Sequence, residues 1–428
     1  MPDSRLAPPA RLTHIKGMSE SSEDKRLADQ GVASWHAAEM DRAEEFFRAA
    51  LDSARELNAP ETGSLLQWIA KVKMERGELA AASEAFGEAL GKATSAGDRA
   101  AEAVILLNYA SLQKTVGETG EALKNYRRAA ELAEGLKNYR GHAHALGNIA
   151  NVLRGRGELP EALKLREQAL ELLKEHGTAR DMGNSLSNMG GLLRSMGRLR
   201  ESEETYRRAI DYLEQSGATR SLVITHTNLA RLHMDADRLD DAADLLTSAI
   251  AVAEMNELPL QQTAASVQMA RLELKRGDAD AGFELADETL DPRKPAAAAT
   301  RIEAHLVAGL AGLQLGESEE AQHSFTRAFE LAKEAQLNEF ALEALCLLAG
   351  RALDAGDTDE GARLLAMLPE VDTGSQIYAR FALPTKLRFA EATGDDELDA
   401  LKQQATDSLK HWEEEGDKET VRRIKAVL

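Results

Sequence analysis

The sequence predicts an all-α, right-handed solenoid built from helical hairpins. The first observation is a repeat whose copies begin 40 residues apart, at four successive asparagines. The copies are NYASLQKTVGETGEA (Asn108 to Ala122), NIANVLRGRGELPEA (Asn148 to Ala162), NMGGLLRSMGRLRES (Asn188 to Ser202) and NLARLHMDADRLDDA (Asn228 to Ala242). A register that holds without drift over this length indicates an array of helical repeats.

The second observation is the composition of the chain. Of its 428 residues, 43% are apolar and only 4% are aromatic, as expected for helices that pack through small side chains rather than for a β-rich domain. This length exceeds what one compact core usually holds, but a solenoid grows by adding repeats that contact only their neighbours. One long array therefore fits the length.

Small residues and turn residues divide each copy into two helices. A small residue lies two positions after each Asn, a second follows twelve positions later, and a third lies seven beyond that. Between the first two, a residue suited to a left-handed turn ends the first helix. These turn residues are Gly117, Gly157, Gly197 and Asp237. Each copy is therefore predicted to form a helix, a tight turn and a second helix, with about 15 to 19 residues in each helix.

This order of residues resembles the tetratricopeptide repeat (TPR). Asn, an apolar residue, a small residue, a turn Gly and a later Ala follow one another, with an aromatic at Tyr126 and Tyr206. The 40-residue period is similar to the long-helix repeats of Pins-type adaptors and kinesin light chains. Arg166 and Leu246 replace the aromatic in two copies, and the usual Pro after the second helix is absent. The resemblance implies a TPR-like superhelix over most of the chain, a scaffold that hosts many functions.

The repeats predict a chain of three parts. Residues 1–24 show no helical period and are expected to be a disordered leader. Residues 25–290 hold about seven repeats, with a break at Asn58 to Pro60. Asp291 to Pro295 is the strongest break and is expected to be a bend or a soft boundary. Residues 296–428 hold divergent repeats and a charged last helix that caps the stack, for about nine or ten hairpins in all.

The first helices of the repeats are expected to line the concave face of the solenoid. Counted from the Asn, positions −4, +3, +6 and +7 fall on one stripe of that face. Positions +3 and +6 supply a basic residue in six consecutive repeats, together with one amide. These residues are Lys71, Lys114, Asn151, Arg154, Arg194, Arg231 and Arg271. The sequence therefore predicts a positive groove in a chain whose formal net charge is −20.

The repeated asparagines are a second candidate feature. A primary amide offers a donor and an acceptor, which match a peptide bond. The candidates are Asn108, Asn148, Asn188 and Asn228. Neighbouring helices lie about 10 Å apart, so one Asn would serve roughly every third residue of an extended ligand. The backbone-holding Asn of kinesin light chain repeats is similar in position.

Each feature also has a plainer interpretation. Asn is common at this place in the family, so the column is also consistent with helix packing or with bonds between neighbouring repeats. A Lys or Arg every 40 residues is also consistent with a solvated face that pairs with nearby Glu.

The motifs give no indication of an enzyme. The sequence contains no P-loop, nucleophile elbow or dinucleotide-binding glycine pattern. His142 and His144 are two positions apart and cannot share a helix face. Cys346, the single cysteine, lies in an apolar helical stretch and is expected to be buried. Neither a catalytic residue, a metal site nor a cofactor is therefore predicted.

Charge and hydropathy limit the class of partner. With 52 basic and 72 acidic side chains, the chain is not expected to bind nucleic acid or an anionic membrane, and the groove lacks aromatics on which RNA bases could stack. The sequence shows no secretion signal and no run long enough to cross a membrane, so the cytoplasm is the expected location.

The leading functional hypothesis is an interaction scaffold or adaptor. It binds an extended protein or peptide segment, with acidic side chains or a free carboxylate, in the basic groove. The alternative is a regulatory sensor, in which a peptide or small ligand tightens the superhelix and changes partner binding, with residues 296–428 as the effector surface. The identity of the partner and the oligomeric state stay open.

Overall fold

The described part of the chain is built from helices alone. A computed structural model describes residues 23–36, 39–56, 62–335, 337–368 and 376–428, which form 21 helices and no strands. Most of the predicted leader, and the break at Asn58 to Pro60, lie outside these ranges. The prediction of an all-α solenoid of helical hairpins is confirmed, with ten hairpins and one further helix in the described residues.

The chain divides into two compact units, one that ends at Leu146 and one that runs from Gly147 to Leu428. The helices of the first unit are α1 (Glu23–His36), α2 (Met40–Glu56), α3 (Thr62–Glu75), α4 (Leu79–Ser95), α5 (Arg99–Thr115) and α6 (Thr119–Gly135). The division falls within α7 (Tyr139–Gly155).

The second unit completes the hairpin that α7 begins and continues with six further hairpins and a last helix. Its helices are α8 (Leu159–His176), α9 (Ala179–Ser195), α10 (Leu199–Ser216), α11 (Thr219–Asp235), α12 (Leu239–Met255), α13 (Pro259–Arg276), α14 (Ala279–Leu290), α15 (Ala298–Leu315), α16 (Ser318–Glu334), α17 (Asn338–Asp354), α18 (Thr358–Ala366), α19 (Gln376–Thr393), α20 (Leu398–Glu415) and α21 (Lys418–Lys425). The predicted break at Asp291 to Pro295 lies between α14 and α15, and its role as a boundary stays a prediction.

The turns within the hairpins follow the predicted chemistry. Gly117, Gly157 and Gly197 have φ values of 87°, 83° and 73°, which a residue with a side chain rarely adopts. Asp237 takes the same conformation, with φ 64°, because Asp and Asn tolerate the left-handed region better than most residues. The first helix of each of these repeats therefore stops at the position that the sequence predicts.

Close helix contact explains the small residues. In the hairpin of α9 and α10, a Cβ atom added to Gly190 would lie 2.8 Å from the ring of Tyr206. The hydroxyl of Ser202 donates to the carbonyl oxygen of Gly190 at 2.8 Å. The aromatic ring of the second helix therefore occupies the space that the missing side chain leaves in the first helix.

Arg166 and Leu246 fill the place of this aromatic in two repeats. Leu246 is fully buried. Arg166 is 4% exposed, and its Nη2 donates to the carbonyl oxygen of Gly147 at 2.8 Å and to Oδ1 of Asn151 at 2.7 Å. Burial, and secondarily the charge of Arg154, lower the pKa of Arg166 to about 10. In this repeat a buried guanidinium therefore takes the place of the ring.

The C-terminal helices pack back onto the middle of the second unit. Phe381 on α19 and Trp412 on α20 belong to one apolar core with Leu199 on α10 and Leu229 on α11. Helix α21, where the sequence predicts a polar cap, also contacts α11. Ile424 of α21 is fully buried in the same core.

Candidate functional site on the first helices

Three of the candidate arginines meet on the first helices of the second unit. Arg194, Arg231 and Arg271 lie on α9, α11 and α13, and their side chains are only 15%, 25% and 17% exposed. All three line one cavity. We call this face the first-helix surface, and we define it by Arg194, Arg231, Asp235, Arg271 and Lys275, together with the exposed Arg154 on α7 and Asn188 on α9.

Asp235 is the carboxylate that joins two of the buried arginines. Its Oδ2 accepts from Nε of Arg194 at 2.9 Å, and its Oδ1 accepts from Nη2 of Arg380, on α19, at 2.5 Å. Burial alone would raise the pKa of Asp235, but Arg194 and Arg380 outweigh burial and lower the pKa to about 2. Asp235 is therefore charged at neutral pH and balances two guanidinium groups.

Glutamates of later repeats pair with the other two arginines. Nη2 of Arg231 lies 2.9 Å from Oε1 of Glu303, whose second oxygen accepts from Nε2 of Gln268 at 2.9 Å. Nη1 of Arg271 lies 3.5 Å from Oε1 of Glu343, which makes this pair looser. Partly buried arginines of α11 and α13 are therefore paired with carboxylates on α15 and α17.

Helix α21 adds further charges to the cavity. Lys275 on α13 donates to Glu419, which also accepts from Nη2 of Arg423 at 2.5 Å. Nη1 of Arg380 lies 3.8 Å from Asp417, the residue that caps α21. Residues that lie far apart in the sequence therefore meet in one charged network.

The cavity is small and rich in charge. Its volume is about 30 Å³, enough for one or two water molecules but not for a peptide. Six cationic and four acidic side chains line it. The cationic residues are Arg194, Arg231, Arg271, Lys275, Arg380 and Arg423, and the acidic residues are Asp235, Glu339, Glu343 and Glu419. Any larger ligand of this surface must replace part of the network.

The surroundings of these arginines bear on both interpretations of the basic residue that recurs in each repeat, a ligand-binding groove or a solvated face. Arg194, Arg231 and Arg271 do share a surface, as the repeat register predicts. They are also paired with carboxylates, but the pairs are largely buried and connect distant repeats, unlike a solvated face. Arg154, one repeat earlier on α7, is exposed. The role of these residues in binding a peptide stays a prediction.

The asparagine column lies at the edge of the buried region. In the second unit, Asn148 and Asn228 are half-buried and Asn188 is exposed. Nδ2 of Asn188 donates to the carbonyl oxygen of Asn184 at 3.0 Å, one turn earlier in the same helix. In the first unit, Nδ2 of Asn108 makes the equivalent bond to Val104 at 3.1 Å. Asn151 is instead engaged by Arg166, so its predicted contact with a ligand would compete with that bond.

The two candidate lysines of the first unit differ in their surroundings. Nζ of Lys71 lies 4.3 Å and 3.8 Å from the ring centroids of Trp35 and Trp68. Burial lowers the pKa of Lys71 to about 8, against an opposing effect of Glu75. Lys114 is exposed at the end of α5. Lys71 is therefore held between aromatic rings.

The described residues show no arrangement of His, Cys, Asp and Glu that could hold a metal ion. Cys346 is buried, as the sequence predicts, and burial raises the pKa of its thiol to about 12. No helix in the described ranges is both long and apolar enough to cross a bilayer.

The carboxylates of the network were missed because the binding residues were predicted from positions +3 and +6 of each repeat alone. Three of these carboxylates lie at other positions of the same predicted stripe. Asp235 lies at +7 from Asn228, on the predicted stripe. Glu303 and Glu343 lie at −4 in the eighth and ninth repeats, on the same stripe. Arg380 and Glu419 lie outside the clear repeats, so the register gives no signal for them.

The hairpins, their turns and the first-helix surface define a tetratricopeptide-type repeat protein. Residues 93–371 match the family described as the MalT-like TPR region, and the chain belongs to that family. No curated protein has a matching sequence.

Several solved structures are similar to this chain in fold. A Rap protein complexed with competence and sporulation factor has 16% identity and a TM-score of 0.55, and the match covers 73% of this chain and 98% of that protein. The apo quorum sensor NprR from B. thuringiensis has 14% identity and a TM-score of 0.53, with 80% and 97% covered. A Rap conjugation gene regulator of plasmid pLS20, in complex with the Phr* peptide, has 14% identity and a TM-score of 0.53, with 86% and 98% covered.

Proposed function

We propose that this chain is a protein-interaction module that binds an extended acidic peptide segment of a partner on its first-helix surface. The observation that carries the proposal is the gathering of six cationic side chains around one cavity in a chain of net charge −20. Of the proteins of similar fold, the Rap protein was solved with competence and sporulation factor, and the plasmid regulator was solved with the Phr* peptide. A non-enzymatic role in the cytoplasm is part of the proposal.

The paired state of the arginines determines how such a ligand would bind. A carboxylate of the peptide would exchange with one of the protein's own carboxylates, most readily with Glu343, whose 3.5 Å contact to Arg271 is longer than the ion pairs of Arg194 and Arg231. Exchanging one carboxylate for another leaves each buried arginine with a counter-charge, which avoids the high cost of an unpaired buried charge.

The asparagines would hold the backbone of the same peptide. The bond from Nδ2 of Asn188 to its own helix fixes the plane of the amide and leaves Oδ1 to accept from a peptide N–H. Because the backbone is common to all peptides, this contact adds affinity without selecting a sequence. Selectivity for acidic peptides would then come from the positive charges of Arg154, Arg194, Arg231 and Arg271.

The alternative function is a sensor, and the charged network favours it for one specific reason. Through Asp235 and Glu419 the network joins α11 and α13 to α19 and α21. A ligand that replaces one carboxylate would alter the contacts of these C-terminal helices, and binding at one surface would then change another. An adaptor and a sensor share the same peptide site.

A test of the site needs a peptide selected without assumptions about the partner. Peptides selected from a random display library against the intact chain are expected to be rich in Asp and Glu. Arg154→Glu should weaken their binding, and added salt should weaken binding to the wild type more than to this variant. Asn188→Ala should cost about 0.5–1.5 kcal/mol with little effect on the salt dependence.

The matched control is Arg208→Glu, the same charge change at an exposed position of a second helix, α10. It should leave both affinity and salt dependence unchanged. Selected peptides that bind equally to wild type, Arg154→Glu and Asn188→Ala would move the binding site away from the first-helix surface.

A further inference from the structure

Helix α21 reaches the first-helix surface from the far end of the sequence. Glu419 accepts from Lys275, which lies 144 residues earlier, and Arg422 lies 3.1 Å from Asp237, the turn residue after α11. A helix that served only to cover the last repeat would have no need of these bonds. Its contacts therefore point to a role on the surface of the earlier repeats.

The segment around the start of α21 has the chemistry proposed for the ligand. Residues 413–419 read EEEGDKE and contain five carboxylates. Oε2 of Glu415 accepts from the backbone N–H of Arg200 at 3.2 Å, and Asp417 lies 3.8 Å from Arg380. Asp417 and Glu419 thus place acidic side chains of the chain itself on the first-helix surface, while Glu415 contacts the start of α10.

The geometry of α21 suits a segment that can leave the surface. The helix has eight residues, and helices of this length are not stable in isolation. Gly416, with φ 83°, separates it from α20. Within α21, Thr420 and Ile424 are the buried side chains. Displacing α21 therefore removes Ile424 and Val421 from the core, whose other members, Phe381 and Trp412 among them, belong to helices that stay in place.

We propose that α21 is an internal occupant of the first-helix surface, and that an acidic peptide binds there by displacing it. This inference rests on the proposed function, because it assigns a regulatory element to the same site. While α21 is seated, only the displaced fraction of molecules can bind, so the apparent affinity for a peptide falls in proportion to that fraction. Any change that loosens α21 then tightens peptide binding.

Cys346 reports whether α21 is seated. It is the only cysteine of the chain, and it shares a cavity of about 330 Å³ with Arg423 of α21 and with Ala426 and Val427, which follow that helix. When α21 leaves, this cavity opens towards the thiol. The rate at which a thiol reagent labels the intact, folded protein therefore measures the displacement of α21.

The first experiment breaks and restores the contact between Lys275 and Glu419. Glu419→Lys should label about tenfold faster or more, since a lost partly buried ion pair shifts an equilibrium by at least that factor. The double variant Lys275→Glu with Glu419→Lys should return towards the wild-type rate. Lys418→Glu, a charge reversal at an exposed position of the same helix, is the control and should label at the wild-type rate.

A milder variant covers the case in which Glu419→Lys does not fold. Arg422→Glu opposes Asp237 at a largely exposed pair and should also raise the labelling rate. Wild-type labelling rates in both Glu419→Lys and Arg422→Glu would overturn the inference.

The second experiment supplies α21 in trans. A fluorescent peptide of residues 411–428 should bind the full-length Glu419→Lys chain about tenfold or more tighter than the wild type, whose own α21 occupies the site. The same peptide carrying Glu419→Lys should not bind. Equal binding of the unmodified peptide to both proteins would overturn the inference.

The two proposals fail in different ways. If the labelling and trans-peptide results are as expected but no acidic peptide is selected by display, the proposed function fails and α21 remains an internal occupant. If acidic peptides are selected and depend on Arg154, but labelling does not respond to Glu419→Lys, the inference about α21 fails and the proposed function stands.

Discussion

Asp235 is the residue on which the buried charges of the second unit most depend. In Asp235→Asn a neutral amide replaces the carboxylate, and both Arg194 and Arg380 lose their shared counter-charge. We expect the free energy of unfolding to fall by about 3–5 kcal/mol, as for a broken buried ion pair. Urea unfolding followed by circular dichroism at pH 7 measures the loss. The control Asp240→Asn, at the exposed pair with Arg276, should show no measurable change.

The stability difference between the wild type and Asp235→Asn should also depend on pH. The pKa of Asp235 is lowered to about 2 in the folded protein, below the value of about 3.9 for an unfolded chain. Its contribution to stability is therefore complete above about pH 4 and is lost as the pH falls towards 2. We expect the stability difference between wild type and Asp235→Asn to shrink over that range. A difference that stays constant from pH 7 to pH 3 would contradict the assigned ion pairs.

Arg166 offers a test in which the native residue is the less favourable one. Tyr126, at the equivalent position of the preceding repeat, has its hydroxyl 2.9 Å from Ser111, and Asn151 occupies the place of Ser111 here. Arg166→Tyr should therefore keep a hydrogen bond to Asn151 while removing a buried charge. We expect equal or higher thermal stability for Arg166→Tyr. Arg166→Ala should lose about 1–3 kcal/mol, because the partners of the guanidinium become unsatisfied.

At the scale of the element, each hairpin depends on a close contact between its two helices. Gly190→Leu would place a side chain where Tyr206 lies, 2.8 Å from the position of the new Cβ. The two helices must separate, at a cost of about 1–3 kcal/mol from overpacking. The melting temperature measures this effect. Gly87→Leu is the matched control in α4, where a Cβ meets nothing within 4 Å, and it should not destabilise the protein because Leu is the better helix former.

The hairpins could be predicted from the sequence because their determinants are local. Gly117, Gly157 and Asp237 end helices through their own backbone conformation, and the period places the small residues. The partners of Arg194 and Lys275 could not be predicted in this way. Arg380 and Glu419 reach them only after α19 and α21 fold back over α11 and α13, and a repeat register describes contacts between neighbours alone.

Over the molecule as a whole, the second unit departs from the behaviour of an open repeat array. In such an array each repeat contacts only its neighbours, so the terminal repeats fray first. Here Asp235 accepts a hydrogen bond from Arg380, which lies 145 residues later. In addition, Leu199 and Leu229 share an apolar core with Phe381 and Trp412. The last hairpin is therefore tied to the middle of the unit, and α21 is the part that we propose can leave separately.

This coupling predicts a pattern of hydrogen exchange that a simple array would not give. Under native conditions, amides near Leu383 and Leu387 in α19, both almost fully buried, should exchange with free energies close to those of the α11 core. Fraying would make them exchange with much lower free energies. Removing the shared ion pair in Arg380→Leu should lower the protection of α19 selectively and leave α5 unchanged. A wild-type α19 that already exchanges far faster than α11 would show that the long-range contacts do not couple these helices.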